Sequence, residues 1–159
     1  MKDIELNFRM QFCQLEELAD DDRRLVEKAI GATQNSYAPY SNFHVGACLR
    51  LADGREVIGA NQENAAFPSG LCAERSAVFA AQSMFPDEAI TALAIAARNE
   101  NGLTAQPVSP CGACRQVILE MEDRYKQDVR ILLYGTEGVY VIPSVKSLLP
   151  LHFVDSNMR

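Results

Sequence analysis

The run Ala92-Leu93-Ala94-Ile95-Ala96-Ala97 constrains the fold more than any other stretch of this chain. A short continuous apolar run is consistent with a strand covered on both faces. Such a strand needs helices to cover it, and the flanking sequence supplies them. Cys72–Met84, built of Ala, Ser, Val and Phe, suits a buried helix that Pro86 ends. Cys111–Tyr125 has helical spacing through Val117, Ile118 and Met121, with Pro110 just ahead of its start. An earlier helix opens at Asp20-Asp21-Asp22, where acids meet the positive end of the helix dipole, and this charge run reads as a solvated helix start.

The other apolar segments read as strands. Val45, Ala47, Leu49 and Leu51 alternate on one face, Asp53-Gly54 gives a hairpin turn, and Glu56–Ala60 is the returning strand. Val129–Tyr134 and Val139–Ile142 are two further strands around Gly135-Thr136-Glu137-Gly138. Arg98–Pro107 reads as a polar loop, Ser144–Leu149 as a short helix and Pro150–Arg159 as a tail. Residues 1–20 alternate apolar and polar without clean caps, which makes them an N-terminal extension with one strand or helix, ahead of a single domain over 21–159. Helices interleaved with short strands give an α/β fold, three-layered if helices cover both faces.

A length of 159 residues leaves no room for a second independent core. Fifteen basic against 21 acidic residues give a net charge of −6, which disfavours a nucleic-acid partner. With 48% hydrophobic and 23% charged residues and no long apolar stretch, neither a membrane partner nor long disorder is expected. The start, Met1-Lys2-Asp3-Ile4-Glu5, is acidic and polar where a signal peptide is basic and then apolar, so a cytoplasmic protein is expected. Five cysteines, an odd number, fit a reducing compartment better than a disulfide framework. Cys13 and Cys48 stand alone, and core packing is the expected role of Cys48.

The other three cysteines lie in two segments, Cys72-Ala73-Glu74-Arg75 and Ser109-Pro110-Cys111-Gly112-Ala113-Cys114-Arg115-Gln116. Cysteines at i and i+3 at a helix start can point their sulfurs to one locus, and a third from another helix end completes a trigonal base for zinc with one position open. Unpaired N–H groups and the positive dipole end favour thiolates at those starts. Glu74 lies two residues past Cys72, on the far side of a regular helix, yet both can converge on a target beyond the helix end. A carboxylate beside a metal-activated water moves its proton, which is the chemistry of metal-assisted hydrolysis.

With Tyr40-Ser41-Asn42-Phe43 and Asn61-x-Glu63-Asn64, these segments form four ordered motifs, and a ligand-x-Glu segment followed by Pro-Cys-x-x-Cys is the signature of zinc deaminases. From Tyr37 to Phe153 the chain resembles the cytidine deaminase family, specifically its small homotetrameric, three-cysteine kind. The resemblance implies a three-layer α/β/α sandwich with a mixed sheet of about five strands. It implies one zinc ion per subunit on Cys72, Cys111 and Cys114, with Glu74 as the catalytic proton shuttle. The implied reaction is attack of zinc-bound hydroxide on C4 of cytidine or 2′-deoxycytidine, with Glu74 protonating N3 and then the leaving amine. Uridine or 2′-deoxyuridine and ammonia result, as in pyrimidine salvage.

By the same resemblance Asn61 and Glu63 hold the ribose 3′-hydroxyl, an amide and a carboxylate together offering it a donor and an acceptor. Phe43 packs against the base, Ala73 contacts the substrate, and Phe153 reaches the base in a neighbouring subunit's site, so a homotetramer would share its active sites. Three thiolates on Zn²⁺ leave a net negative charge, and Arg75 is the cation implied to offset it by hydrogen-bonding them, with Gln116 in the surrounding shell. Phe67 stands where many members carry a tyrosine, His44 where proline or a basic residue is common. A purely structural zinc site would need a fourth ligand from His44, His152 or a lone cysteine, and would leave Glu74 and Asn61-x-Glu63 unexplained. Deaminases of blasticidin-type antibiotics lack the Asn-x-Glu-Asn segment, and nucleotide substrates call for arginines near a phosphate.

Overall fold

Alternate residues of the Ala92–Ala97 run face different layers, and their sizes differ by layer. The computed structural model describes residues 1–159. In chain order the elements are β1 (Gln11–Cys13), α1 (Asp20–Ala32), β2 (His44–Leu51), β3 (Glu56–Ala60), α2 (Ala73–Met84), β4 (Ile90–Asn99), β5 (Gly102–Leu103), α3 (Gly112–Tyr125), β6 (Arg130–Gly135) and β7 (Gly138–Ile142). On β4, Ala92, Ala94 and Ala96 pack with Leu25, Val26 and Ala29 of α1. Leu93 and Ile95 point the other way, into the core shared with Ala77 and Val78 of α2 and Ile118 and Leu119 of α3. Small side chains let α1 lie close to one face, while larger ones fill the space under two helices on the other.

The chain is therefore the expected three-layer α/β/α sandwich, and its sheet is mixed. The strand order is β1-β7-β6-β4-β2-β3, with β5 paired back onto β4. Only β4 and β6 run parallel, and α3 is part of the crossover that such a pair requires. The sheet has seven strands rather than the five legible in the sequence. The two additions are short edge pieces. Gln11–Cys13 pairs with Val139–Val141, a partner too distant in sequence for any turn to signal, and Gly102–Leu103 folds back on Arg98–Asn99 inside the segment expected to be loop. The Asp53-Gly54 turn forms as expected, with Gly54 at φ +89°, a conformation that favours glycine. The short helix expected over Ser144–Leu149 is a 3-10 turn over Val145–Leu148.

The acidic run at the start of α1 departs from expectation. Asp20 and Asp21 are exposed, but Asp22 is buried at 4% exposure. Its carboxylate accepts from Arg50 of β2 at 2.9 Å and Arg130 of β6 at 2.6 Å, tying α1 to two strands of the sheet. On the opposite face Glu122 of α3, also buried, accepts from the Val129 and Val145 N–H groups, each at 2.9 Å, and from the Ser144 hydroxyl at 2.7 Å. That carboxylate fixes the end of α3 against the start of β6.

Candidate active site

Cys72 and Cys111 are not the first residues of their helices but the caps, in extended conformation, of α2 and α3 respectively. A capping residue sits beside the unpaired N–H groups of the first turn, which favours negative charge on its side chain. Cys114 follows one turn into α3 and is fully buried. The three sulfurs converge as expected: Cys72 lies 3.8 Å from Cys111, Cys111 lies 3.5 Å from Cys114, and all three fall within 4.8 Å of one another. Tetrahedral zinc with Zn–S bonds near 2.3 Å requires sulfur separations of about 3.8 Å, so the trio fits the ion. No other Cys, His, Asp or Glu joins the cluster, which leaves the open position of a catalytic site and not the closed shell of a structural one.

Electrostatics within the trio are uneven. Hydrogen bonding from the Cys114 thiol and the Arg75 guanidinium lowers Cys72 to about 5, while that same bond and burial push Cys114 well up. Arg75 Nη2 donates to Cys72 Sγ at 3.4 Å, and this thiolate contact raises the guanidinium further above its ordinary value. Metal binding displaces thiol protons, so a cation already aimed at the sulfurs lowers the cost of three negative ligands. Glu74 is 5% exposed. Burial first, and then the charge on Cys72, raise its carboxyl above the usual glutamate range.

These groups open into one pocket of about 330 Å³, lined by Ser41, Phe43, Val45, Asn61, Glu63, Cys72, Ala73, Glu74, Ile95, Val108, Ser109 and Cys111. Seven of the residues expected in the site are therefore brought together on its wall. Ser41, Val45, Ile95, Val108 and Ser109 were not singled out as site residues: Val45 and Ile95 read only as strand residues, and Val108 lies beside the loop ahead of Pro110. Ser109 is held by Arg115, whose guanidinium also grips the Pro110 and Leu148 carbonyls at 2.8 and 2.9 Å. A larger depression of about 450 Å³ around His44 and Arg98 is wholly polar and shares no lining residue with this pocket.

Asn61 and Glu63 are held by protein groups on one side of the pocket. Asn61 Oδ1 accepts from Val45 N–H at 2.7 Å, and its amide donates to the Phe43 carbonyl at 2.9 Å. Glu63 accepts from the Tyr40 N–H at 2.8 Å, and hydrogen bonding from Ser41 lowers its carboxyl below the ordinary range. Of the four other expected residues, Cys114 and Arg75 sit at the sulfur cluster without lining the pocket, and Phe153 and Gln116 lie away from it in their own chain. Phe153 is 57% exposed on the tail. Gln116 makes no hydrogen bond to a sulfur; its amide donates at 2.9 Å to the Phe153 carbonyl and so anchors the tail. Cys48 is buried in the α1-side core, where burial pushes its thiol up to about 12.

Known proteins resemble this chain in sequence and fold. Residues 19–127 match the model of the cytidine and deoxycytidylate deaminase zinc-binding region. The cytidine deaminase of Halalkalibacterium halodurans is 39% identical over 139 residues, which is 87% of this chain and 98% of that protein. That of Sporosarcina psychrophila is 45% identical over 130 residues, 82% of this chain and 89% of its own. The crystal structure of the Burkholderia pseudomallei cytidine deaminase superposes with a TM-score of 0.70 at 37% identity, covering 82% of this chain and 97% of that one. That of Mycobacterium tuberculosis gives 0.67 at 32% identity, covering 86% and 99%. With Cys72, Glu74, Cys111 and Cys114 all inside the matched residues, the chain belongs to the zinc-binding cytidine and deoxycytidylate deaminase family.

Proposed function

We propose that the protein is a zinc-dependent hydrolase that converts cytidine and 2′-deoxycytidine to uridine and 2′-deoxyuridine with release of ammonia, serving pyrimidine salvage. One observation carries this reading: a buried carboxyl, Glu74, and a three-sulfur metal site share a pocket with an amide and a carboxylate, Asn61 and Glu63. Zinc bound by Cys72, Cys111 and Cys114 would supply an acidified water as nucleophile. Glu74 would take up one proton of that water and deliver it to N3 of the pyrimidine, then take the proton of the hydroxyl added at C4 and pass it to the amine as the C4–N bond breaks. Burial raises its carboxyl above the usual glutamate range, so it holds a proton more readily than an exposed glutamate, as a group that both accepts and donates must. Ala73 and Phe43 bound the base, and Asn61 and Glu63 hold the 3′-hydroxyl of the sugar.

The same pocket favours a free nucleoside over a nucleotide. No Lys or Arg lines it, so this chain offers a phosphate no cation there. In this reading Phe153 enters a neighbouring copy's site in a homotetramer, which is supported by its exposure, by the Gln116 bond to its carbonyl and by the exposed Phe79 and Met84 on α2. Purified zinc-loaded protein should convert cytidine to uridine in an ultraviolet absorbance assay, and absence of turnover with zinc fully bound refutes the reading. Cytidine monophosphate should compete poorly in that assay; strong competition would mean that a nucleotide is the substrate. Light scattering should report four copies, with a Phe153→Ala variant assembling normally but turning over slowly.

A further inference from the structure

We infer that Ser36 and His44 are positioning residues for the nucleoside, fixing the Asn61 amide through a relay of hydrogen bonds that runs from His44 to Ser36 to Asn61. The inference deepens the reading of Asn61 as the sugar-binding amide and rests on it. Two main-chain groups of opposite polarity set the amide's orientation: the Val45 N–H donates to Oδ1 at 2.7 Å, and Nδ2 donates to the Phe43 carbonyl at 2.9 Å. A flipped amide would oppose donor to donor and acceptor to acceptor. Ser36 Oγ lies 2.6 Å from that same Oδ1. Since Oδ1 carries no hydrogen, the serine hydroxyl must donate its only proton there. Its oxygen can then only accept from the imidazole, whose Nδ1 lies 3.1 Å away, so His44 carries a proton on Nδ1.

The relay has a consequence at the pocket wall. With Val45 and Ser36 both donating to it, Oδ1 is saturated, and the side chain's remaining capacity is the second Nδ2 hydrogen, which has no protein acceptor. Asn61 therefore meets a ligand as a donor of one defined direction, with the carboxylate of Glu63 nearby as acceptor. Ser36 follows α1, His44 opens β2 and Asn61 follows β3, so three separate segments agree on that direction. Preorganised donors of this kind keep their ordering cost out of the binding step.

Steady-state kinetics of the zinc-loaded enzyme with cytidine and 3′-deoxycytidine test the relay, together with the ring-nitrogen NMR signals of His44. Ser36→Ala should raise KM for cytidine by about 3–10-fold, the worth of one net hydrogen bond, with kcat little changed. It should leave KM for 3′-deoxycytidine unaltered, because that substrate lacks the hydroxyl the amide grips. Ser36→Thr, which keeps the hydroxyl, should recover the wild-type KM, and the NMR signals should place the proton on Nδ1. An equal penalty on both substrates, no penalty on either, or a proton on Nε2 alone would overturn the relay. A wild-type enzyme that does not prefer cytidine to 3′-deoxycytidine overturns the sugar-binding reading and the relay with it. A wild type that shows the preference beside a Ser36→Ala variant without the differential penalty overturns the relay alone.

Discussion

Replacing Asp22 by alanine should cost the protein much of its stability and none of its chemistry. The carboxylate is 6% exposed and serves Arg50, whose side chain is 18% exposed, and Arg130, which is 45% exposed. Removing one partner of a buried pair costs about 3–5 kcal/mol because the other charge is stranded. An exposed pair is worth about 0–1 kcal/mol. Arg50 lies near the first case, since its Nη1 is buried and already has no hydrogen-bond partner, while Arg130 can turn to water. The expected loss for Asp22→Ala is therefore about 3 kcal/mol. In a domain of this size that lowers Tm by about 6–12 °C. Guanidinium chloride unfolding of the zinc-loaded protein, followed by circular dichroism at fixed protein concentration, reads the change directly. Adding Arg50→Met should return much of the loss, because the stranded guanidinium goes with it. A loss below about 1 kcal/mol would refute the reasoning, as would a double variant no more stable than Asp22→Ala. Turnover of the folded variant should match the wild type, because the clamp and the pocket lie on opposite faces of the sheet.

Glu74→Gln should retain its zinc and lose about 10²–10⁴-fold in kcat, the range for a general acid–base group, measured as turnover and metal content of one sample; near-normal turnover would remove Glu74 from proton transfer. Gly59→Ala should lower both zinc content and turnover, because a Cβ there would stand 2.4 Å from the Ala73 carbonyl oxygen and 2.5 Å from the Ala77 nitrogen. Overpacking of that kind costs about 1–3 kcal/mol. Gly31→Ala, where the added methyl meets nothing within 4 Å, serves as the control. The anchoring of the Tyr40–Ser41 loop by Glu63 has a pH window set by its lowered carboxyl. A depressed carboxyl contributes stability that is present above its unfolded pKa of about 4.3 and is lost as pH falls through the lower folded value. The amide signals of Tyr40 and Ser41 should stay constant from neutral pH to that range and shift only beneath it.

Much of the site was legible because zinc chemistry demands particular residue types at particular spacings. Cys-x-x-Cys at a helix start and Cys-x-Glu at another are short-range patterns, so one sequence displays them whole. The layering was legible for a related reason: an apolar strand without alternation has to be covered twice. What stayed hidden depends on partners far apart in the chain. Asp22 looks like its exposed neighbours Asp20 and Asp21 until Arg50 and Arg130 are folded against it. Likewise nothing in the sequence joins Ser36 and His44 to the sugar side of the pocket, since that role exists only through Asn61, 25 residues beyond the serine. The strand at Gln11–Cys13 shows the limit most plainly: its segment has the alternation of a strand, but only the free edge of β7 decides that it becomes one.

Gly59 joins the two kinds of information. As a residue of β3 it contributes no side chain to either core, and the first turn of α2 uses the space to lie directly on the sheet. That turn carries Cys72 at the cap and Glu74 two residues on, so its height above the sheet sets how both meet the sulfurs of α3. The sheet's two faces consequently do different work. Alanines of β4 seat a single helix whose Asp22 clamp holds the layers together, whereas Leu93 and Ile95 of the same strand support the helices whose starts carry the metal ligands. Ile95 reaches the pocket wall itself, so one strand joins the stabilising face to the reacting one without sharing residues between them. Substitutions on the α1 side should thus move unfolding without moving turnover, and substitutions under the first turn of α2 should move both.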